Sequence, residues 1–153
     1  MNLYVILVLY TIFSYNPDSI VRGIYINPYQ GSKKSYLEYI FKLADSNYIN
    51  TILVDLKGDY GYLCYETKIP LVRELKAFKR YIDLDYLIKK CKGSNVKLIA
   101  RIVCFRGSYL AQYEDCAIRD SSGKIWYDKT GTAWVNPYNP KTHKYLIEII
   151  KEL

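Results

Sequence analysis

Residues Ile52 to Thr67 read "ILVDLKGDYGYLCYET", an apolar strand pattern that ends in a cluster of charged and aromatic residues. Side chains alternate along a strand, so the aliphatic residues at positions 52, 54 and 56 share one face, which suits contact with helices. The opposite face becomes polar toward its carboxyl end, where Asp55 and Lys57 follow Leu53. A strand with a purely structural role would simply turn here, so this end of the strand is the first candidate for a functional site.

Helical and strand patterns alternate on both sides of this segment. Strands are predicted at Val21–Tyr29, Thr51–Lys57 and Val96–Val103, and amphipathic helices at Lys33–Asn47, Leu84–Gly93 and Lys141–Leu153. A short hairpin is predicted in "YGYLCYE", residues 60–66, and a long loop over residues 105–140. Near-continuous apolar strands that alternate with helices predict an α/β fold with a parallel sheet and helices packed outside it.

The polar ends of the three predicted strands are expected to meet. In parallel α/β folds, binding and catalysis occur at the carboxyl ends of the strands. By the same alternation, Tyr25 and Asn27 face the side of Asp55 and Lys57 from the first strand, and Arg101 faces it from the third. We expect these side chains to surround one cavity. The alternative is a buried ion network in which an acid flanked by cations holds the strands in register.

The predicted long loop is rich in aromatic residues. It contains Trp126, Tyr127, Trp134 and Tyr138 together with Asp128, Asn136 and Asn139. Aromatic faces beside amide and carboxylate groups suit pyranose rings, which offer C–H faces for stacking and hydroxyls for hydrogen bonds. The alternative is that one tryptophan serves only as packing.

Composition excludes several classes of protein. A chain of 153 residues is long enough for one domain. Its 50% hydrophobic and 24% charged residues are typical of a globular protein, which argues against disorder. The net charge of +7 would suit an anionic partner. However, the cations are scattered and no nucleic-acid motif carries them, so a nucleic-acid partner is not expected.

The cysteines and the single histidine do not predict a metal site. Cys64, Cys91, Cys104 and Cys116 lack CxxC spacing, and His143 falls in a predicted helix. A zinc site needs clustered ligands, so we expect neither a metal nor a cofactor. Two alternatives stay open for the cysteines. Either they form disulfides in an exported protein, or they are free and buried thiols.

The apolar run "LYVILVLYTIF", Leu3–Phe13, is too short for a transmembrane helix of about 20 residues. It matches the apolar core of a secretory signal, followed by the polar break "SYNPDS". Residues 1–20 are therefore predicted to be a signal peptide or an uncleaved anchor that attaches the protein to a membrane. This predicts an exported, extracellular or envelope-associated protein. The alternative is a buried strand or helix of the fold.

Four separated motifs resemble those of a known family. "RGIYINPYQGS", "ILVDLKGDYGYLCYETKIPL", "IARIVCFRG" and "AWVNPYNP" are similar, in this order, to the first half of a bacterial domain family described as putative glycosyl hydrolases, with a TIM-barrel fold. The resemblance covers about Val21 to Leu153. It implies a partial (β/α)8 barrel with the first three βα units and the helix before strand four. Since a whole barrel takes about 250 residues, the remaining half of the barrel is expected to be missing from this chain.

The residue patterns and the resemblance together select candidate site residues. The substrate-binding candidates are Asn27, Tyr29, Lys57, Asp59, Tyr60, Tyr62, Arg101, Trp134, Asn136 and Tyr138. Asp55 is the catalytic candidate, and it is expected to support an acid on the fourth strand of the family rather than to replace it. The implied function is glycoside hydrolysis on, or binding of, an envelope or extracellular polysaccharide, a carbohydrate polymer, with no activity in this fragment. The alternative is a non-catalytic carbohydrate- or cell-wall-binding module.

Overall fold

The computed structural model describes residues 20–113 and 115–153, so the apolar run Leu3–Phe13 lies outside the described residues. The described chain is a mixed α/β domain. Its strands are β1 (Gly23–Ile26), β2 (Thr51–Lys57), β3 (Leu63–Tyr65), β4 (Phe78–Ile82) and β5 (Lys97–Ile102). Its helices are α1 (Pro28–Gly31), α2 (Lys34–Asp45), α3 (Pro70–Glu74), α4 (Leu84–Gly93), α5 (Ser108–Ala111) and α6 (Pro140–Glu152).

Strand β2 is central to the sheet. It pairs in parallel with β1 on one side and with β5 on the other. β3 pairs with it antiparallel, with Lys57 opposite Leu63, and β4 runs parallel to β3. The pairing of the strands confirms the predicted α/β fold with a mainly parallel sheet.

The apolar face of β2 lies in the hydrophobic core. Ile52, Val54 and Leu56 are buried in one cluster with the apolar faces of α2 and α4. Helix α4 begins as the sequence predicts, because the Asp83 side chain caps it by accepting a hydrogen bond from the Tyr86 N–H. The alternating pattern of β2 therefore places its aliphatic side chains against the helices.

The last helix is anchored to β3 by its final turn. Glu152 Oε2 accepts hydrogen bonds from the Tyr65 hydroxyl at 3.0 Å and from Thr67 Oγ1 at 2.6 Å. Its Oε1 accepts a hydrogen bond from the Lys68 N–H at 2.6 Å. On the inner face of the helix, the side chains of Tyr145, Leu146 and Ile149 are buried. Helix α6 is thus integrated into the domain.

The short elements differ from the sequence-based expectations. The predicted first strand ends at Ile26 rather than Tyr29, because Asn27 caps α1 in a capping box with Gln30. The hairpin predicted within residues 60–66 instead has β2 as its first strand and β3 as its second. α3 and β4 lie between the predicted hairpin and the helix at Leu84, where the sequence predicted neither helix nor strand, and α5 lies inside the predicted long loop.

All four cysteines lie in the described part of the chain, and none of them forms a disulfide. This decides the question that the sequence left open, with Cys64, Cys91 and Cys116 buried as thiols. Within residues 20–113 and 115–153, no helix is long and apolar enough to cross a membrane.

The buried thiols predict a loss of stability in alkali. Burial raises the pKa of Cys64 and Cys91 from 9.0 to about 12. The unfolded chain releases these protons first, so their contribution to stability is complete below pH 9.0 and is lost as the pH rises toward about 12. Each thiol should lower the free energy of unfolding by about 1.4 kcal/mol per pH unit in this range.

Cys91→Ala tests this pH dependence. Urea unfolding at about pH 8, 9 and 10 should give a shallower decline for the variant, by the contribution of one thiol. The comparison of slopes removes the constant cost of the smaller side chain. Equal slopes for the variant and the unmodified protein would show that Cys91 does not retain its proton in the folded state.

Candidate functional site

The carboxyl ends of β1, β2 and β5 bring three of the aligned side chains together. Asp55 Oδ1 accepts a hydrogen bond from Arg101 Nη1 at 2.8 Å, and Asp55 Oδ2 accepts one from the Tyr25 hydroxyl at 2.5 Å. Asp55 is 5% exposed, and both of its oxygens are occupied. These residues therefore form an ion pair of Asp55 with Arg101 that Tyr25 completes by a hydrogen bond, and this resembles the alternative of an ion network except that only one cation flanks the acid.

The two hydrogen-bond donors to Asp55, Tyr25 and Arg101, both have raised pKa values. Burial, followed by the hydrogen bond to Asp55, raises the pKa of Tyr25 to about 12. Burial alone would lower the pKa of Arg101, but its hydrogen bond and charge interactions with Asp55 and Asp59 shift it upward overall. Both partners therefore keep their protons near neutral pH.

Asp59 extends the network toward solvent. Its Oδ1 lies 3.7 Å from Arg101 Nη2 and 3.9 Å from Arg106 Nη1, which are ion-pair distances longer than a hydrogen bond. This oxygen is buried and has no hydrogen-bond partner among the described residues, although the Asp59 side chain as a whole is 43% exposed. Asp59 is thus the acid of the network with unused acceptor capacity.

Arg106 and Asp128 complete a chain of alternating charges. Arg106 Nε donates to Asp128 Oδ2 at 2.8 Å, and Trp134 Nε1 donates to the same oxygen at 3.0 Å. Asp128 Oδ1 accepts hydrogen bonds from the N–H groups of Thr130 and Thr132 and from the Thr130 hydroxyl. The hydrogen bonds from Thr130, Trp134 and Arg106 hold the pKa of Asp128 well below its usual range. Both oxygens of Asp128 thus accept hydrogen bonds, and Asp128 holds the Trp134 indole in place.

Two glycines hold the loops of this site in contact. A Cβ on Gly61 would lie 2.4 Å from the Gly107 Cα, and a Cβ on Gly107 would lie 2.5 Å from the Gly61 Cα. The Ser108 N–H also donates to the Tyr60 carbonyl at 3.3 Å. The loop after β2 therefore touches the loop after β5 through its backbone, which sets Asp59 beside Arg106.

The expectation that Lys57 and Asn27 share this cavity is wrong. The register of β2 and β5 shifts after Asp55, so that Lys57 lies opposite Ile102 and the alternation of faces is interrupted. Lys57 Nζ donates to the carbonyl oxygens of Val103 and Arg106 beneath the loop. Asn27 uses its side chain to cap α1.

Lys57 is enclosed with Tyr145 in one internal pocket. Gly61, Cys104, Arg106, Gly107, Leu110 and Val135 complete its lining. Burial lowers the pKa of Lys57 to about 8, against smaller opposite contributions from Cys104 and Asp59. Tyr145 is 1% exposed, and its hydroxyl has no hydrogen-bond partner within the described ranges. The Tyr145 hydroxyl is thus a destabilising feature of the pocket.

Tyr145→Phe should raise the free energy of unfolding by about 1 kcal/mol, because it removes a buried and unsatisfied hydroxyl. Urea unfolding measures the change. The control Tyr65→Phe removes a hydroxyl that donates to Glu152, and it should lower the free energy by about 1 kcal/mol. A loss of stability in Tyr145→Phe of the same size as in the control would mean that the Tyr145 hydroxyl has a partner.

The remaining predicted aromatic residues occupy different environments. Tyr60 is 62% exposed and stacks on Tyr62, with ring centroids 6.3 Å apart. Trp134 is partly buried and meets the exposed Trp126 edge-on at 6.5 Å. Tyr138 is 88% exposed, and the Tyr29 ring is exposed beneath the Lys33 ammonium at 4.1 Å. Asn136 turns its side chain back to accept a hydrogen bond from the residue 138 N–H.

Sequence reasoning did not select Arg106, and it placed Asp128 only among the polar residues of the loop. Arg106 lies in the "IARIVCFRG" motif, just beyond the end of the predicted third strand at Val103, and this position was the available signal. In the described part of the chain, no group of three His, Cys, Asp or Glu side chains could hold a metal ion. What the network offers is one partly open carboxylate set among fixed charges and aromatic rings.

Residues 23–153 match the protein family described as "Putative glycosyl hydrolase domain". The chain belongs to this family. The resemblance drawn from the four sequence motifs is therefore confirmed. A solved structure of a hypothetical protein from Ruminiclostridium thermocellum ATCC 27405 is similar, with 35% sequence identity and a TM-score of 0.81. The similarity covers 84% of this chain and 68% of that chain. No curated protein matches the chain.

Proposed function

We propose that this chain is the carbohydrate-contacting part of a glycoside hydrolase domain that acts on an envelope or extracellular polysaccharide. Membership of the family supports the hydrolase class. The observation that carries the proposal is the Asp59 carboxylate, whose side chain is 43% exposed and whose ion pairs at 3.7 and 3.9 Å are longer than hydrogen bonds. A sugar hydroxyl can donate to the exposed side of this carboxylate, and the exposed rings of Tyr25, Tyr60 and Trp126 offer faces for stacking.

The three acids of the network have two different roles. Asp55 and Asp128 hold other side chains in place, and Asp59 is available to contact a sugar. Glycosidases use two carboxyl groups about 5 to 9.5 Å apart, the spacing depending on the mechanism. Asp55 and Asp128 have both oxygens occupied, so neither is available to a sugar. Asp59 remains as the contact residue, and Asp55 positions Arg101 beside it. Binding is thus the property expected of this network, and hydrolysis requires a second acid that it does not supply.

We also propose that the sheet is part of a (β/α)8 barrel. Parallel pairing of β1 with β2 and of β2 with β5, with helices between consecutive parallel strands, supports this architecture. The location of the charged network at the carboxyl ends of these strands is also typical of barrel enzymes. The β3–β4 excursion would then be an insertion in the loop after the second barrel strand.

An exported location remains part of the proposal, since the predicted signal or anchor precedes the domain in the sequence. A nucleic-acid partner is not proposed, because Arg101 and Arg106 at the site are already paired with acids.

Affinity electrophoresis in gels that contain soluble polysaccharides tests binding, and release of reducing ends tests hydrolysis. The unmodified chain should be retarded by at least one polysaccharide without releasing reducing ends. Asp59→Asn should lose the retardation, whereas the control Asp45→Asn, an exposed aspartate on α2, should keep it. Retardation that persists in Asp59→Asn would place sugar contact elsewhere. Folded protein that no polysaccharide retards would contradict the proposed function.

A further inference from the structure

We propose that Tyr60, Tyr62 and Lys79 form a subsite for an acidic sugar residue beside Asp59. The proposal rests on the function proposed above and adds the class of substrate, a polysaccharide that carries carboxylate or phosphate groups. The surface runs from the loop after β2, which holds Asp59 and Tyr60, to the exposed face of β4, which holds Lys79.

The two tyrosines of this surface differ in exposure, since Tyr62 is packed against other rings and Tyr60 is exposed. Tyr62 is partly buried, meets Tyr109 edge-on at 6.3 Å and contacts Tyr81 at 6.2 Å. Tyr60 lies nearly parallel to Tyr62, at an interplanar angle of 4°, and is exposed. A braced ring thus supports an exposed ring next to the contact carboxylate, which is an arrangement suited to stacking of a sugar ring.

Lys79 adds a cation to this surface. Its Nζ lies 4.5 Å from the centroid of the Tyr62 ring and 5.9 Å from that of Tyr81. No carboxylate lies within 4.0 Å of it in the described residues, since none of the ion pairs there includes Lys79. Its neighbour Arg80 pairs with Glu66, as does Arg73. Lys79 therefore differs from Arg73 and Arg80, since its ammonium lies against an aromatic ring without an ion pair to an acid.

The other cations near Asp59 are already engaged. Arg101 pairs with Asp55, Arg106 pairs with Asp128, and Lys57 is buried against loop carbonyls. An acidic group on a bound sugar would find no unpaired cation within the charge network itself. Lys79 lies over Tyr62, the ring on which Tyr60 stacks, so we expect it to neutralise the acidic group of a sugar that stacks on Tyr60.

Binding of three probes tests the subsite by isothermal titration calorimetry. The probes are an oligogalacturonate, its methyl ester and an oligomannoside that carries phosphate groups. The oligogalacturonate should bind about fivefold more tightly than its ester, the effect of one exposed ion pair, and the preference should fall as salt is added. Preference for the phosphorylated oligomannoside over both galacturonate probes would identify phosphate as the acidic group instead of carboxylate.

The variant Lys79→Gln should lose the preference for the acid and keep the affinity for the ester. The control Lys89→Gln makes the same change of net charge on an exposed position of α4, and it should retain the preference. Preference that survives in Lys79→Gln, or equal binding of acid and ester by the unmodified chain, would overturn the subsite while leaving carbohydrate binding intact. Failure of every saccharide to bind the folded chain would overturn both proposals.

Discussion

Gly61→Ala is expected to lower the free energy of unfolding by about 4 kcal/mol. Two costs add at this position. The backbone of Gly61 has a φ of 91°, which strains any residue with a Cβ. The new Cβ would also lie 2.4 Å from the Gly107 Cα, a backbone atom that cannot rotate away. The loops after β2 and β5 would then have to separate.

Urea unfolding measures this loss, and Gly58→Ala is the matched control. Gly58 lies in the same turn, has no positive φ, and a Cβ there would meet nothing within 4 Å. The control should therefore change the free energy by less than about 1 kcal/mol. Gly107→Ala should resemble Gly61→Ala, because the same contact is broken from the other side. Similar stabilities for Gly61→Ala and Gly58→Ala would show that the two loops do not touch.

The long elements of this fold could be predicted from the sequence because their signals are local. Periodic apolar residues locate α2, α4 and α6, and Asp83 marks the start of α4 by its capping chemistry. Alternation in the strands is enough to place Tyr25, Asp55 and Arg101 on one side of the sheet, where they meet. These inferences need no knowledge of contacts between distant parts of the chain.

The rest depends on irregular or long-range features. Alternation fails at Lys57 because the register of β2 and β5 shifts by one residue, and no pattern in the sequence marks that shift. The hydrogen bond of Arg106 to Asp128 joins two loop positions 22 residues apart, to which periodicity does not apply. Asn27 is different, since Asn followed by Pro is a local signal for a helix start, although it lies inside the strand predicted at Val21–Tyr29.

Asp55→Ala is expected to lower the free energy of unfolding by about 4 kcal/mol, because it leaves the Arg101 guanidinium partly buried and without its closest acid. The Tyr25 hydroxyl would lose its acceptor in the same change. Combining Asp55→Ala with Arg101→Met should recover part of the loss, since the double variant removes the unpaired charge. Urea unfolding of both single variants and the double variant gives the coupling between the two side chains.

Asp59→Ala is the control that separates support from contact. Asp59 is 43% exposed, and its oxygen lies 3.7 Å or more from either guanidinium, so its loss should cost less than about 1 kcal/mol. The two substitutions should therefore affect different properties. Asp55→Ala should lower stability, whereas Asp59→Ala should lower carbohydrate binding in a protein that remains folded. If Asp55→Ala left stability unchanged and removed binding, Asp55 would contact the sugar itself, and the buried ion pair would not be what holds β1, β2 and β5 in register. Since both oxygens of Asp55 are already occupied, such a result would require a rearranged network.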